Sequence, residues 1–252
     1  MVLAGLTVLL LALIVGSAVA ASRLGYFPAA DEAVHAVRAD DVLGPNSPLL
    51  GMPSSTERLI GVYSYHPGPL VFWAYAVPVR LFGYGTGLLL GAAAVNVLAA
   101  IGIAVTANRR SGAWIASVAV LLTIAVYLAI TPAVLYRPLN GAIPVLPFLC
   151  FLLLTWAVAD QDHRLLPAWV LAGSFVLQAH LGFGILVAVM AAVVMAIPVH
   201  DALTAFRGRH RSPPRAQPRR ADADDLAIGA TVAVAIGALL AVVSASRSRT
   251  AW

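Results

Sequence analysis

Asp31, His35 and Arg38 follow one another at intervals of four and three residues, a spacing that puts a carboxylate, an imidazole and a guanidinium along one side of a helix. A carboxylate beside two such groups can stay ionised at neutral pH and accept a proton from a substrate hydroxyl. The same triplet also occurs as plain charge pairing on a surface helix. Further along, His66-Pro67-Gly68-Pro69-Leu70 fixes an imidazole between prolines that restrict both their own φ and the residues before them. Tyr136-Arg137-Pro138-Leu139-Asn140 sets an arginine between two apolar runs, where it can grip a lipid phosphate through two nitrogens or simply snorkel to headgroups. His180, two residues after Gln178, stands in a third turn. There it is either a substrate contact or a packing histidine bonded across the bundle. His35, Arg38, His66, Arg137, Asn140 and His180 are thus the candidate substrate-binding residues, with Asp31 as the candidate catalytic carboxylate.

The elements that must position these residues are apolar. The chain is 61% hydrophobic and 11% charged, with mean hydropathy +0.89, well away from a soluble domain with about a quarter of its residues charged. The expected fold is all-α, a polytopic transmembrane helical bundle. Apolar runs occupy 2–20, 87–107, 113–131, 141–159, 165–179, 181–199 and 226–244. About 20 residues at 1.5 Å each cross a hydrocarbon core of about 30 Å. Segment 2–20 ends in an Ala-Val-Ala that imitates a signal-peptidase site, but it lacks a basic leader and reads as an uncleaved first helix. Segment 69–83 holds two prolines, Arg80 and four aromatics, a composition suited to the headgroup level. It reads as a juxtamembrane helix that does not cross. Residues 31–43 read as a short helix between Pro28 and Gly44-Pro45.

Arginine placement sets the direction. All sixteen basic residues are Arg, and six of them lie in 207–220. With the first loop outside and 69–83 not crossing, Arg109, Arg110, Arg164 and those six fall inside, as short cytoplasmic loops require. The reading is seven crossings, with three outside segments able to cooperate: 21–86, 132–140 and 178–183. Five of the eleven acidic residues (Asp31, Glu32, Asp40, Asp41 and Glu57) lie in the first of these. Polar groups beside a bilayer are costly unless they do something. The net charge of +5 calls for no nucleic acid, because the membrane-side rule explains it. Residues 200–225 read as a basic, disordered cytoplasmic linker, and 226–252 as an additional transmembrane helix with a short tail. Asp222 and Asp224 imitate a metal-holding pair but fall on the opposite face, so they receive no site. The lone Cys150, inside an apolar run, leaves no intrachain disulfide or thiolate cluster.

An N-terminal membrane helix, an outside loop with Asp31-Glu32, and a His66-Pro67-Gly68-Pro69-Leu70 return into an aromatic juxtamembrane segment resemble the GT-C membrane glycosyltransferases. The likeness is to the branch of protein O-mannosyltransferases and lipid A aminoarabinose transferases, in an actinobacterial cell-envelope version. It covers residues 3–198, within a module of residues 1–199. It implies a plasma-membrane enzyme that transfers a sugar from a polyprenyl-phosphate donor to an extracytoplasmic acceptor by one inverting displacement. By position Asp31 would be the general base, with Glu32 the runner-up. A divalent metal, used by some relatives, has oxygen ligands on offer in Asp31, Glu32, Asp40 and Asp41, though no spacing demands one. Such enzymes are usually longer, so the resemblance implies a short or truncated module, with a second membrane subunit as the candidate partner that completes it. Two other classes stay open: a non-catalytic partner subunit, and a transporter of lipids or lipid-linked sugars. Against the latter, no central span carries an acidic residue.

Overall fold

The computed structural model describes residues 1–54, 61, 64–130 and 136–208, with side chains to 197. Among these residues the chain is helical, without a β-strand, in seven helices. They are α1 (Val2–Arg23), α2 (Asp31–Asp40), α3 (Leu70–Phe82), α4 (Tyr84–Ala129), α5 (Val145–Ala159), α6 (Leu166–Ala179) and α7 (Gly184–Gly208). Two of them, α1 and α4, are long and apolar enough to cross a membrane. The run 226–244 and most of the expected linker lie outside the described residues. The linker expectation is corrected at its start, because the backbone stays helical to Gly208.

Helix α4 is two antiparallel limbs. Gly112 interrupts it with φ 77° and ψ 173°, a backbone conformation essentially confined to glycine. Contacts with α1 prove the reversal. Thr86 on the first limb bonds Ser22 (2.8 Å), and Tyr127 on the second bonds Ser17 and the Leu13 carbonyl. A straight helix would put Thr86 and Tyr127 about 62 Å apart, yet their partners Ser17 and Ser22 are separated by only about 8 Å of α1. The sequence run 87–107 and the described part of the run that starts at 113, to Ala129, are therefore separate helices, as expected, joined without a loop.

Gly83 adopts the same conformation (φ 76°, ψ 174°) between α3 and α4, and folds α3 back on the first limb. The two helices touch closely: a side chain at Gly87 would stand 2.4 Å from the Val79 Cα. Helix α3 spans about 20 Å at thirteen residues, and it packs Tyr75 and Val79 with Leu88 and Ala92. The larger core joins α1, α4, α5 and α6 through residues such as Leu10, Ile14, Ile103, Val120, Phe148, Phe151 and Trp169. Phe151 and Trp169 stack at 5.7 Å, and the indole N–H donates to the Thr155 hydroxyl, which satisfies a buried polar pair.

The chain thus alternates between two ends. One end gathers the ends of α1 and α6, residues 84–86, and 136–140. The other gathers Arg109, Arg110 and the turn 160–165. There Arg110 pairs with Asp160, and Arg109 with Asp162 at 3.5 Å. The expected break after α6 is present: His180 is extended, and Leu181–Phe183 form a single tight turn before α7.

Candidate functional site

Helix α2 turns a narrow face toward the bundle, and small residues define it. Ala36 and Ala39 are fully buried, which lets α2 lie close to α3, and Glu32 and His35 share that face. The spacing of Asp31, His35 and Arg38 had suggested a different side, and the structure divides the three. His35 is completely buried, Asp31 is exposed, and Arg38 is part-exposed and paired with Asp41 at 3.1 Å. One residue of helical rotation, about 100°, separates the two faces.

Two bonds join α2 to the turn 136–140. The Arg137 Nε donates to Glu32 Oε1 at 2.6 Å. The Glu32 side chain is only 2% exposed while that of Arg137 is 45% exposed, so the pair is sunk at the carboxylate and open at the guanidinium. Among the described residues the Arg137 Nη groups make no hydrogen bond. The bond to Glu32 holds the guanidinium pKa above its ordinary value. Beside them, Tyr26 has its phenol pushed up, first by burial and then by the Glu32 charge. His35 Nε2 donates to Asn140 Oδ1 at 2.6 Å, with its ring against Phe72 and Tyr75. Burial lowers the His35 pKa to about 4, outweighing the bond to Asn140 and the charges of Asp31 and Glu32.

A second junction joins the return 64–70 to the turn after α6. Gln178 Oε1 accepts the Leu70 N–H (3.2 Å), and it sits so close to Gly68 that any side chain there would collide with it. His66, 5% exposed, accepts the Leu181 N–H at Nδ1 (3.1 Å). His180, half-buried, accepts the Gly182 N–H at Nδ1 (3.0 Å), and the two rings stand 5.5 Å apart. Burial lowers both imidazoles, and His180 lowers His66 further. His66 is therefore a neutral hydrogen-bonding group here and not a cation. The three segments singled out by sequence do meet: α2 on 136–140, and 64–70 on 178–183.

Much of the first loop's acidity is structural. Asp40 accepts from Tyr84 (3.2 Å), Arg80 donates to the Asp40 and Val42 carbonyls, and Asp41 holds Arg38. Among the described residues Asp31 makes no hydrogen bond or ion pair, and Glu57 lies outside them. No three His, Cys, Asp or Glu among the described residues gather as a metal-ligand set. Sequence reasoning missed Tyr26 and Gln178. Neither sits in a chemical motif; the one available signal was the position of each at the end of an apolar helix. No family model, curated protein or solved structure matches the chain.

The arrangement offers three functions at one end of the bundle. Among the described residues it presents an exposed carboxylate without a partner, a guanidinium held by a buried carboxylate with its outer nitrogens unbonded, and imidazoles kept neutral.

Proposed function

We propose that the protein is a multi-pass plasma-membrane glycosyltransferase module that uses a polyprenyl-phosphate sugar at this end of the bundle. The observation that carries the reading is the Glu32–Arg137 pair. A buried carboxylate fixes a half-exposed guanidinium, and the residue before that carboxylate, Asp31, is exposed and without a side-chain partner among the described residues. In the reaction, the Asp31 carboxylate takes the proton of an acceptor hydroxyl. The hydroxyl oxygen bonds to the anomeric carbon from the face opposite the phosphate, and the carbon–oxygen bond to phosphate breaks. The electron pair leaves on the polyprenyl phosphate, where Arg137 neutralises the growing charge. Glu32 is a positioning residue in this scheme. It aims the guanidinium and keeps it charged.

Membrane topology follows the same axis. The site end faces outside and the end with Arg109, Arg110 and Arg164 faces the cytoplasm, in line with the bias of short basic loops. The N-terminus is inside, α3 runs back along the first limb of α4 without crossing, and the chain, with its run 226–244, crosses seven times. Cysteine labelling at Ser47 and Ser212 tests this, because the two must report opposite sides. Transfer is tested with the protein in vesicles, by offering polyprenyl-phosphate sugars in turn and following release of polyprenyl phosphate. Same-side labelling, or no release from any donor, removes the reading.

A further inference from the structure

The second junction has a property that its residue types alone do not reveal. A neutral imidazole carries one donor and one acceptor, and the partner of one nitrogen decides the state of the other. His66 and His180 each spend Nδ1 as an acceptor, on the successive backbone N–H groups of Leu181 and Gly182. The proton of each neutral ring must therefore sit on Nε2. Both Nδ1 atoms point at the same turn, so both Nε2–H groups point away from it. Neither Nε2 has a hydrogen-bond partner among the described residues, and neither is sealed off in the packing.

What faces this pair sharpens the point. The charged and titratable group set against His66 is His180, with His35 as the nearest neighbour on α2. From α6, Gln178 approaches with its carbonyl oxygen committed to Leu70, and Phe183 meets the His180 ring edge-on. Among the described residues no carboxylate accepts either Nε2–H. A backbone donor on Nδ1 also polarises the ring and makes the distal N–H a better donor, the cooperative effect of linked hydrogen bonds. Two such donors on rings 5.5 Å apart and inclined at 36° suit two oxygens of one tetrahedral group.

We propose that His66 and His180 form a pair of neutral N–H donors for the oxygens of one phosphate group. Neutral donors can hold a phosphate without adding positive charge, so they bind the group without competing with Arg137 for the role of counter-ion. The chemistry is that of a phosphate monoester or diester, and either a lipid-linked phosphate or free phosphate can supply it. The inference rests on the reading of this end as the one that meets a lipid phosphate, but it requires no transfer reaction.

The test uses the full chain in maltoside micelles, which contain no phosphate, with 15N-labelled histidine. The expected spectrum shows Nε2–H forms of His66 and His180 near neutral pH, and both Nε2 resonances move on titration with polyprenyl phosphate. A parallel titration with inorganic phosphate separates the sources: tighter binding of the lipid assigns the site to a lipid-linked group, and equal binding to the phosphate alone. His66→Asn and His180→Asn keep an acceptor oxygen near the Nδ1 position but lose the distal N–H. Each should weaken polyprenyl-phosphate binding about tenfold, the lower end for hydrogen bonds to a charged group. Protected Leu181 and Gly182 amides would show that docking survives. An Nδ1–H tautomer in the native protein, resonances that ignore both phosphates, or unchanged affinity in the double variant overturns the proposal. The transfer reading fails separately. Phosphate binding through the pair without sugar transfer removes that reading and leaves this one, while transfer that is indifferent to both Asn variants does the reverse.

Discussion

The two ends of the bundle use the same kinds of charge in different ways. At one end Arg109 and Arg110 meet Asp162 and Asp160, whose carboxylates stay 16% and 51% exposed. At the other, Glu32 is 2% exposed and has a single arginine for company, with His35 wholly buried beside it. Exposed pairs of the first kind contribute little and are easily replaced. Burying a carboxylate is costly unless a partner compensates it, so the second kind survives only where the pair is needed. Composition alone makes the ends look alike. Burial sets them apart.

The largest effect should come from pH. His35 has its pKa lowered to about 4 in the folded protein, against about 6.5 when unfolded. Above about 6.5 both states are neutral and the group costs nothing. As pH falls from 6.5 toward 4, the unfolded state binds a proton that the folded state refuses, and stability drops by on the order of 3 kcal/mol before levelling off. Denaturation of the detergent-solubilised protein across this range should show the fall, and His35→Gln should remove most of it, leaving the smaller contribution of the lowered His66 and His180. An undiminished slope after the substitution would put the main titration elsewhere.

Next is the carboxylate. Asp31→Asn keeps size and hydrogen bonding but cannot take a proton, so transfer should fall about a hundredfold, near 2.7 kcal/mol. Asp162→Asn at the opposite end should leave the rate within about twofold. Equal losses would erase the distinction between the ends. Arg137→Gln strands a buried carboxylate and removes the proposed phosphate contact, so stability and donor affinity should each drop by about 1.5–3 kcal/mol. Pairing it with Glu32→Gln should restore stability and leave affinity low, since only the first loss stems from the buried charge. If the double variant regains affinity as well, Arg137 acts solely as a staple. The smallest effect belongs to Asp160→Asn, whose exposed pair should contribute about 0.2–1 kcal/mol in the same melts.

The sequence made the coarse design legible because apolar runs and their breaks are local signals. The turn between 107 and 113, the break at 179–182 and the short helix at 70–82 all follow from glycine, proline and hydropathy. The gathering of 31–35, 66, 137–140 and 180 was also legible, from the alternation of the helices. The face of α2 was not. Whether Asp31 or Glu32 turns inward depends on which side of a ten-residue helix packs, and Ala36 with Ala39 decides it by allowing a close approach to α3. A stripe of small residues is quieter than a carboxylate, imidazole and guanidinium at good spacing. The neutral state of the histidines was hidden for a related reason. It follows from tertiary burial and, at His66, from an amide more than a hundred residues away in the chain.

Gly112 fixes more than a bend. With no loop between its limbs, α4 has no slack in which an extra residue could be absorbed. One residue inserted between Gly112 and Tyr127 would turn the end of the second limb by about 100° and advance it by about 1.5 Å. Tyr127 would swing away from Ser17 and Leu13, and the segment that follows, with Arg137 and Asn140, would leave α1 on a different heading. The phase of the site is therefore set at the far end of the bundle. The chain behaves there like a keyed shaft, in which the angle chosen at one end is read out at the other.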